Sequence, residues 1–112
     1  MAFRSRGKMG VDILRFEGDL DTVSMVKLKN RLTRLLNKNH KKLLIDLRQA
    51  KRVELAGLGI LVDRLLKVRA LKGDIKLFNL RPEIEKTFEM IGVNGLMESF
   101  HTEEEAIRSF AS

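Results

Sequence analysis

Three aspartates are the side chains of this 112-residue sequence with the best prospect of doing chemistry. Asp19, Asp21 and Asp46 stand near the ends of predicted strands, so they could converge at one edge of a sheet. Converging carboxylates can hold a cation or exchange protons with a substrate. The alternative roles are a turn residue, a helix cap and a loop residue after a strand. The sequence leaves both interpretations open.

Other catalytic and metal-binding patterns are missing from the sequence. The chain has no cysteine, which excludes disulfides, thiol nucleophiles and cysteine zinc sites. Its two histidines, His40 and His101, have no metal-binding spacing, and both are expected to be solvated. No phosphate-binding loop or nucleophile elbow occurs, and the pair Gly57 and Gly59 lacks the third glycine of a dinucleotide fingerprint. We therefore predict no metal, no cofactor and no enzyme activity.

The formal net charge of +7 is concentrated in the first half of the chain. Residues 1–52 carry 14 basic and 5 acidic side chains, whereas residues 53–112 carry 8 basic and 10 acidic ones. Such asymmetry indicates an acidic partner, a nucleic-acid backbone, or a solvated helix face with a basic tail. Nucleic-acid binding is not expected, because tryptophan and tyrosine are absent and the following phenylalanines fall at predicted core positions: Phe16, Phe78, Phe88, Phe100 and Phe110.

The length and hydropathy pattern predict a single domain over residues 1–112. Residues 1–8 are expected to be a loosely ordered basic tail or a weak edge strand. No apolar run approaches the roughly 20 residues of a membrane span, so direct membrane insertion is not expected. The basic N-terminus is not followed by an apolar stretch of signal-peptide length, which predicts a cytoplasmic protein.

Helical and strand periodicities alternate along the chain. Strands are predicted near residues 2–7, 11–16, 43–47, 75–78 and 96–100. Helices are predicted to start at Asp21 or Thr22, near Gly57, at Pro82 and at Thr102. The order β-β-α-β-α-β-α-β-α predicts a compact α/β fold, with one sheet of about five mostly parallel strands flanked by about four helices.

Two apolar stripes are expected to face the core of this fold. The first helix carries apolar side chains at helical spacing, namely Met25, Leu28, Leu32, Leu35 and Leu36. The second helix has a similar set, namely Leu58, Leu61, Val62, Leu65 and Leu66. The continuous apolar run at 43–47 is typical of a strand that is buried on both faces.

One stretch of the sequence carries a specific motif that its composition alone does not reveal. Leu-Leu-Ile-Asp-Leu at 43–47, a short loop, and Val-Glu-Leu-Ala-Gly-Leu-Gly-Ile-Leu at 53–61 resemble the STAS domain family of anti-sigma-factor antagonists and their relatives. That family has a strand ending in Asp-Leu, a loop, and Asp-Ser-Ser/Ala/Thr-Gly-Leu-Gly leading into a helix. Gly-Asp-Leu-Asp at 18–21 and Asn-Leu-Arg-Pro-Glu at 79–83 match in kind, so the resemblance covers nearly the whole chain.

The resemblance implies a partner-switching role in the regulation of transcription. Such proteins bind an anti-sigma factor of the serine-kinase type and release its sigma factor, and phosphorylation of a serine at the start of the second helix blocks that binding. Carried over by position, the resemblance implies that the switch motif and partner-binding surface consist of Asp21, Glu54, Leu55, Ala56, Gly57 and Leu58.

The sequence departs from the family pattern at the switch itself. Glu54 replaces the family's aspartate, Leu55 the first serine, and Ala56 the usual phospho-acceptor. Ala56 has no hydroxyl, so phosphoryl transfer at that position is chemically impossible. The chain is then a constitutive antagonist, a STAS regulatory subunit of a membrane transporter or larger signalling assembly, or a structural domain whose partner surface has drifted. Leu55 either packs on its own fold or contacts a partner.

The basic first half of the chain contributes to the same region. Arg48, Lys51 and Arg52, which we call the basic rim, lie in the loop directly before the motif. We expect them to steer an acidic protein partner towards it. Ser24, Thr22 and Thr87 are other hydroxyls that a kinase could use, and no motif selects among them.

Overall fold

The computed structural model describes residues 3–6 and 8–111, with side chains from Met9 to Ala111. Two short 3-10 turns, Lys8–Gly10 and Val93–Gly95, interrupt an otherwise regular series of strands and helices. In chain order these are β1 (Phe3–Arg6), β2 (Asp12–Arg15), α1 (Thr22–Asn37), β3 (Lys42–Asp46), α2 (Leu55–Ala70), β4 (Asp74–Phe78), α3 (Pro82–Ile91), β5 (Ser99–Phe100) and α4 (Glu103–Ser109). This order confirms the predicted α/β fold.

The strands form one sheet in the order β1-β2-β3-β4-β5. β1 pairs with β2 antiparallel, and every later pair is parallel. A larger core packs α1, α2 and α3 against one face of the sheet, and a smaller core packs α4 against the other. β3 lies between the two cores, so Leu43, Leu44 and Ile45 are all fully buried, as the apolar run predicted. Within the described residues, no helix combines the length and apolarity needed to cross a membrane.

The predicted stripe of α1 is buried at Met25, Leu28, Leu32 and Leu35, and Leu36 packs at its edge. The prediction for α2 was wrong at one position. Leu61 and Leu65 are buried, but Leu66 is 54% exposed. Successive residues of a helix are rotated by about 100°, so the neighbour of a central stripe residue turns away from the core. The buried face of α2 continues through Val68 instead.

The last strand is shorter than predicted. The amide N–H groups of Leu96 and Met97 both donate to the carbonyl of Val93, at N···O distances of 2.9 and 3.0 Å. These bonds extend the preceding 3-10 turn through residues that the apolar pattern assigned to a strand. Met97 is still buried in the larger core, so the sequence predicted its burial correctly and its backbone wrongly.

His40 is not the solvated residue that its polar surroundings predicted. Its Nδ1 atom lies 2.9 Å from Oδ2 of Asp12, a fully buried carboxylate at the start of β2. A buried charge is costly without a partner, which accounts for the pairing. His101, by contrast, is exposed.

Lys76 holds α4 against the sheet. It lies in the middle of β4 and is buried, with its Nζ atom donating to the hydroxyl and the carbonyl of Ser109 at 2.8 and 3.1 Å. The same Nζ atom is 4.5 Å from the centre of the Phe110 ring. A cation at a helix C-terminus and over an aromatic ring is favourable on both counts.

Candidate functional site

The starts of α1 and α2 are bonded to each other through their preceding loops. The amide of Leu20 donates to the carbonyl of Arg52 at 3.0 Å, and the amide of Glu54 donates to the carbonyl of Leu20 at 2.9 Å. Leu20 also forms a parallel bridge with Val53 and is fully buried. These contacts fix the two helix starts side by side at the carboxyl ends of β2 and β3.

Two of the three aspartates organise these loops. Asp19 accepts hydrogen bonds from the amides of Lys51 and Arg52, at 2.8 and 3.2 Å from its Oδ1 atom. Asp21 is the N-cap of α1, and its Oδ1 atom accepts from the amide of Ser24 at 2.8 Å. The pKa of Asp21 is lowered from its usual value, chiefly by that amide and then by the Ser24 hydroxyl.

The third aspartate has a different set of partners. Asp46 is buried at the end of β3, where its Oδ1 atom accepts from the amide of Arg48 at 2.9 Å. Its Oδ2 atom lies 3.8 Å from guanidinium nitrogens of both Arg15 and Arg48. Each aspartate therefore has its own donors, and the convergence considered from the sequence is not what the structure shows. Among residues 9–111, no group of three or more histidines, cysteines or acids is arranged to hold a metal.

The start of α2 is open. Its N-cap residue is Glu54, whose side chain makes no capping hydrogen bond. Leu55, the first residue of the helix, is 71% exposed, and Ala56 after it is exposed as well. The first-turn N–H groups of any helix have no acceptor within the helix and favour a negative or hydrogen-bond-accepting group.

Gly57 allows the two helix starts to approach. A Cβ atom at this position would lie 2.5 Å from the carbonyl oxygen of Leu20 and 2.8 Å from the carbonyl carbon of Asp21, both of them backbone atoms. Gly59, two residues later, would have nothing within 4 Å of such an atom. Packing therefore requires only the first glycine of the Gly-Leu-Gly sequence.

The structure brings the residues of the predicted motif together, and they form two layers, one buried and one accessible to solvent. Gly57 and Leu58 are buried and fix the helix to the core, so they are not available to a partner. The accessible part consists of Glu54, Leu55 and Ala56, with Asp21 beside them. Because Leu55 is exposed, the alternative that it packs on its own fold is wrong.

The basic rim lies next to this surface. Arg48, Lys51 and Arg52 are all exposed. Asp19 holds the loop by its backbone, which leaves the Lys51 and Arg52 side chains in solvent. The backbone of Arg48 is tied differently, since its carbonyl accepts from Nε of Arg81 at 3.0 Å.

Sequence reasoning missed one exposed apolar side chain at the start of α1. Val23, in the first turn of α1, is 70% exposed. It lies outside the buried stripe, and a single valine off the stripe is usual on protein surfaces. The start of α1 is held beside the start of α2 by the pairing of the two loops.

A family model described as STAS domain matches residues 2–106. Three solved structures with this fold illustrate the range of proteins that carry it. An anti-sigma factor antagonist from Mycobacterium paratuberculosis has a TM-score of 0.84 and 17% identity, covering 100% of this chain and 94% of that one. The Bacillus cell fate determinant SpoIIAA in its phosphorylated form has a TM-score of 0.72 and 20% identity, covering 98% and 99%.

The third structure is the murine Solute Carrier 26 family member A9, an anion transporter, with a TM-score of 0.75 and 16% identity. The match covers 88% of this chain but 17% of the transporter. At these identities the likeness shows a shared fold, and the same fold therefore serves both as a small antagonist and as one part of a membrane protein.

Proposed function

Because the chain belongs to the STAS domain family, we propose that it acts as an anti-sigma-factor antagonist in the cytoplasm. It binds an anti-sigma factor of the serine-kinase type through the exposed part of the motif. We call this part the docking surface, and it consists of Asp21, Glu54, Leu55 and Ala56. The likeness of the fold to proteins described as anti-sigma factor antagonists supports this role.

The observation that carries the proposal is the exposure of Leu55 on a rigid base. The side chain is 71% exposed at the first residue of α2. The backbone just before it is held by the Glu54–Leu20 hydrogen bond, and Gly57 fits against backbone atoms two residues later. A side chain on a backbone that is already held in place binds with a smaller entropy cost than one on a loop that must first be ordered.

Binding is constitutive in this proposal. A phosphate on the docking surface would add about −1.5 to −2 charges and repel an acidic partner. Ala56 cannot accept one, so this position keeps the charge state of an unphosphorylated antagonist. Both phosphorylated and unphosphorylated forms of SpoIIAA have been solved, which supports a phosphate switch on this fold. Catalysis is not part of the proposal, since the three aspartates already have separate hydrogen-bond donors.

The basic rim supplies long-range attraction. Lys51 and Arg52 project into solvent beside the docking surface, where their charges raise the association rate of an acidic partner and make that rate dependent on salt.

A second candidate function rests on the transporter likeness. The match to the anion transporter covers 88% of this chain and 17% of the transporter, so most of this fold forms a small part of that protein. In that case the docking surface would bind transporter subunits in place of a soluble kinase.

The test is capture of partners from a native lysate, followed by mass spectrometry. The wild-type chain is compared with Leu55→Ser and with the matched control Leu66→Ser, which changes an equally apolar, exposed side chain at the other end of α2. We expect the wild type and the control to recover a small ATP-binding anti-sigma kinase and Leu55→Ser to lose it. Recovery of transporter subunits would favour the second function. Equal recovery by all three would overturn the docking surface.

Incubation with the captured kinase and ATP tests the constitutive state. We expect the chain to remain unphosphorylated by intact-mass measurement. Stoichiometric phosphate would show that another hydroxyl acts as acceptor, and peptide mapping would then discriminate between Thr22, Ser24 and Thr87.

A further inference from the structure

A cavity of about 380 Å³ lies between the end of β2 and the side of α1 that faces away from α2. Phe16 and Leu28, both buried, form its floor, and Ser24 and Asn30 add a hydroxyl and an amide. The volume falls in the range of small-molecule sites, about 300–1,000 Å³.

Three cations line this cavity along one side of α1. Lys27, Arg31 and Arg34 are spaced by four and three residues, so their side chains are neighbours on the helix surface. None of them forms an ion pair with an acid among the described side chains. Lys27 lies near Asp21 without pairing with it. Glu17 is the acidic residue among the described lining residues, so positive charge dominates the site.

On the opposite side of α1, a cation has hydrogen-bond and ion-pair partners within the fold. There Thr33 accepts a hydrogen bond from Nη1 of Arg64 at 2.9 Å, and Nη2 of the same guanidinium contacts Asp63 at 2.9 Å. That contact, together with Lys67 and Lys29, lowers the pKa of Asp63 from its usual value. Among the described side chains, the cations of the cavity have no such acidic neighbour on α2. Ion pairing within the fold therefore does not explain why three cations lie together here.

We propose that this cavity binds a small amphiphilic anion, that is, a phosphate or similar oxyanion attached to an apolar ring. Arg31 and Arg34 bind the oxyanion through charge-assisted hydrogen bonds, for which paired guanidinium groups are well suited. The ring lies against Phe16, on the floor of the cavity. The described lining residues include none of the docking surface, although Ser24 hydrogen-bonds Asp21, and the proposal does not depend on the proposed function.

The test uses phenyl phosphate as the probe and follows the backbone amide resonances of the isotopically labelled full chain. We expect saturable shifts confined to residues around the cavity, at probe concentrations up to about 10 mM. Phenol, which lacks the charge, and inorganic phosphate, which lacks the ring, are each expected to bind at least about tenfold more weakly, because each forfeits one of the two kinds of contact. No saturable shifts, or shifts spread over every basic surface, would overturn the proposal.

Matched variants separate the cavity from general electrostatics. Arg31→Gln combined with Arg34→Gln removes two cations from the cavity. Lys67→Gln combined with Lys86→Gln removes two from exposed positions on α2 and α3. We expect the first pair to weaken binding by about tenfold or more and the control pair by less than about twofold. Equal weakening by both pairs would mean that net charge alone attracts the probe and would overturn the site. The single variant Arg34→Gln, at an exposed position, provides the same test if the double variant folds poorly.

Discussion

The first turns of α1 and α2 lie side by side, but only α1 is capped by one of its own side chains. Asp21 accepts the amide of Ser24 at 2.8 Å, whereas the Glu54 side chain caps nothing in α2. Leu55 is then 71% exposed at the start of the second helix. A helix start that serves only the fold has first-turn N–H groups satisfied by a capping side chain. A start without such a cap, with an exposed apolar residue beside it, is suited to binding a group from another molecule. This difference is our reason for proposing that the docking surface is centred on the start of α2.

Within α2 itself, inward and outward residues alternate over a few positions. Leu58 is buried and Leu55 is exposed, although both belong to the same motif. We expect Leu58→Ala to lower the free energy of unfolding by about 2–5 kcal/mol, through lost burial and a cavity. Leu55→Ala should change it by less than about 0.5 kcal/mol. Urea unfolding followed by far-UV circular dichroism is the suitable measurement, because the chain has no tryptophan or tyrosine. A comparable loss in both variants would contradict the division into layers.

The two glycines of the motif provide the next comparison. Gly57→Ala should cost about 2–3 kcal/mol, because the added methyl group meets backbone atoms that cannot move independently. Gly59→Ala should instead stabilise the chain by about 0.5–1 kcal/mol, since the site is open and alanine favours the helix. The same unfolding experiment measures both. Similar signs for the two substitutions would refute the close approach of the helix starts at Gly57.

The hydrogen bonds between Asp21 and Ser24 that cap α1 should make the stability of the folded chain depend on pH. The pKa of Asp21 is lowered in the folded state by the Ser24 amide and hydroxyl. Its stabilising contribution is therefore complete above the unfolded-state pKa, near pH 4, and is lost as the pH falls through the folded-state value. We expect the stability difference between the wild type and Asp21→Ala to shrink below about pH 4. A difference that stays constant down to pH 2 would show that the charge of Asp21 is not involved.

The basic rim is expected to have the smallest effect, on association rate rather than stability. Reversing charge at Lys51 and Arg52 to glutamate should slow association with the captured partner a few-fold and reduce its salt dependence. Lys67→Glu with Lys86→Glu is the matched control. If rate and salt dependence are unchanged in the rim variant, steering by the rim is excluded.

Much of the fold could be predicted from the sequence, because helix starts and buried faces depend on residues that are close together in the chain. Pro82 does occupy the first turn of α3, and the hydroxyl of Thr102 does accept from the amide of Glu105 at the start of α4. What could not be predicted depends on residues distant in sequence. His40 pairs with Asp12, and Lys76 with Ser109, across 28 and 33 positions.

The candidate site was predictable to a different degree. The family resemblance predicts which residues belong to it, but it could not tell which of them face outward. The sequence gives no reason to distinguish Gly57 from Gly59. Their surroundings differ because the Leu20 carbonyl lies against Gly57 and nothing lies within 4 Å of a Cβ atom at Gly59. Leu55 and Leu66 both sit in α2, and their exposure depends on where the helix begins and how it packs on α1.

Site-specific photo-cross-linking in the native cell tests whether the start of α2 contacts the proposed partner. A benzophenone amino acid replaces Arg52, which is exposed beside the docking surface, in one variant and Leu66, which is exposed further along α2, in the other, so that Leu55 is kept in both. We expect the first variant to cross-link to an ATP-binding anti-sigma kinase, identified by mass spectrometry, and the second variant not to. Cross-linking to the kinase from Leu66 alone, or with equal yield from both positions, would contradict the claim that the start of α2 is the docking surface.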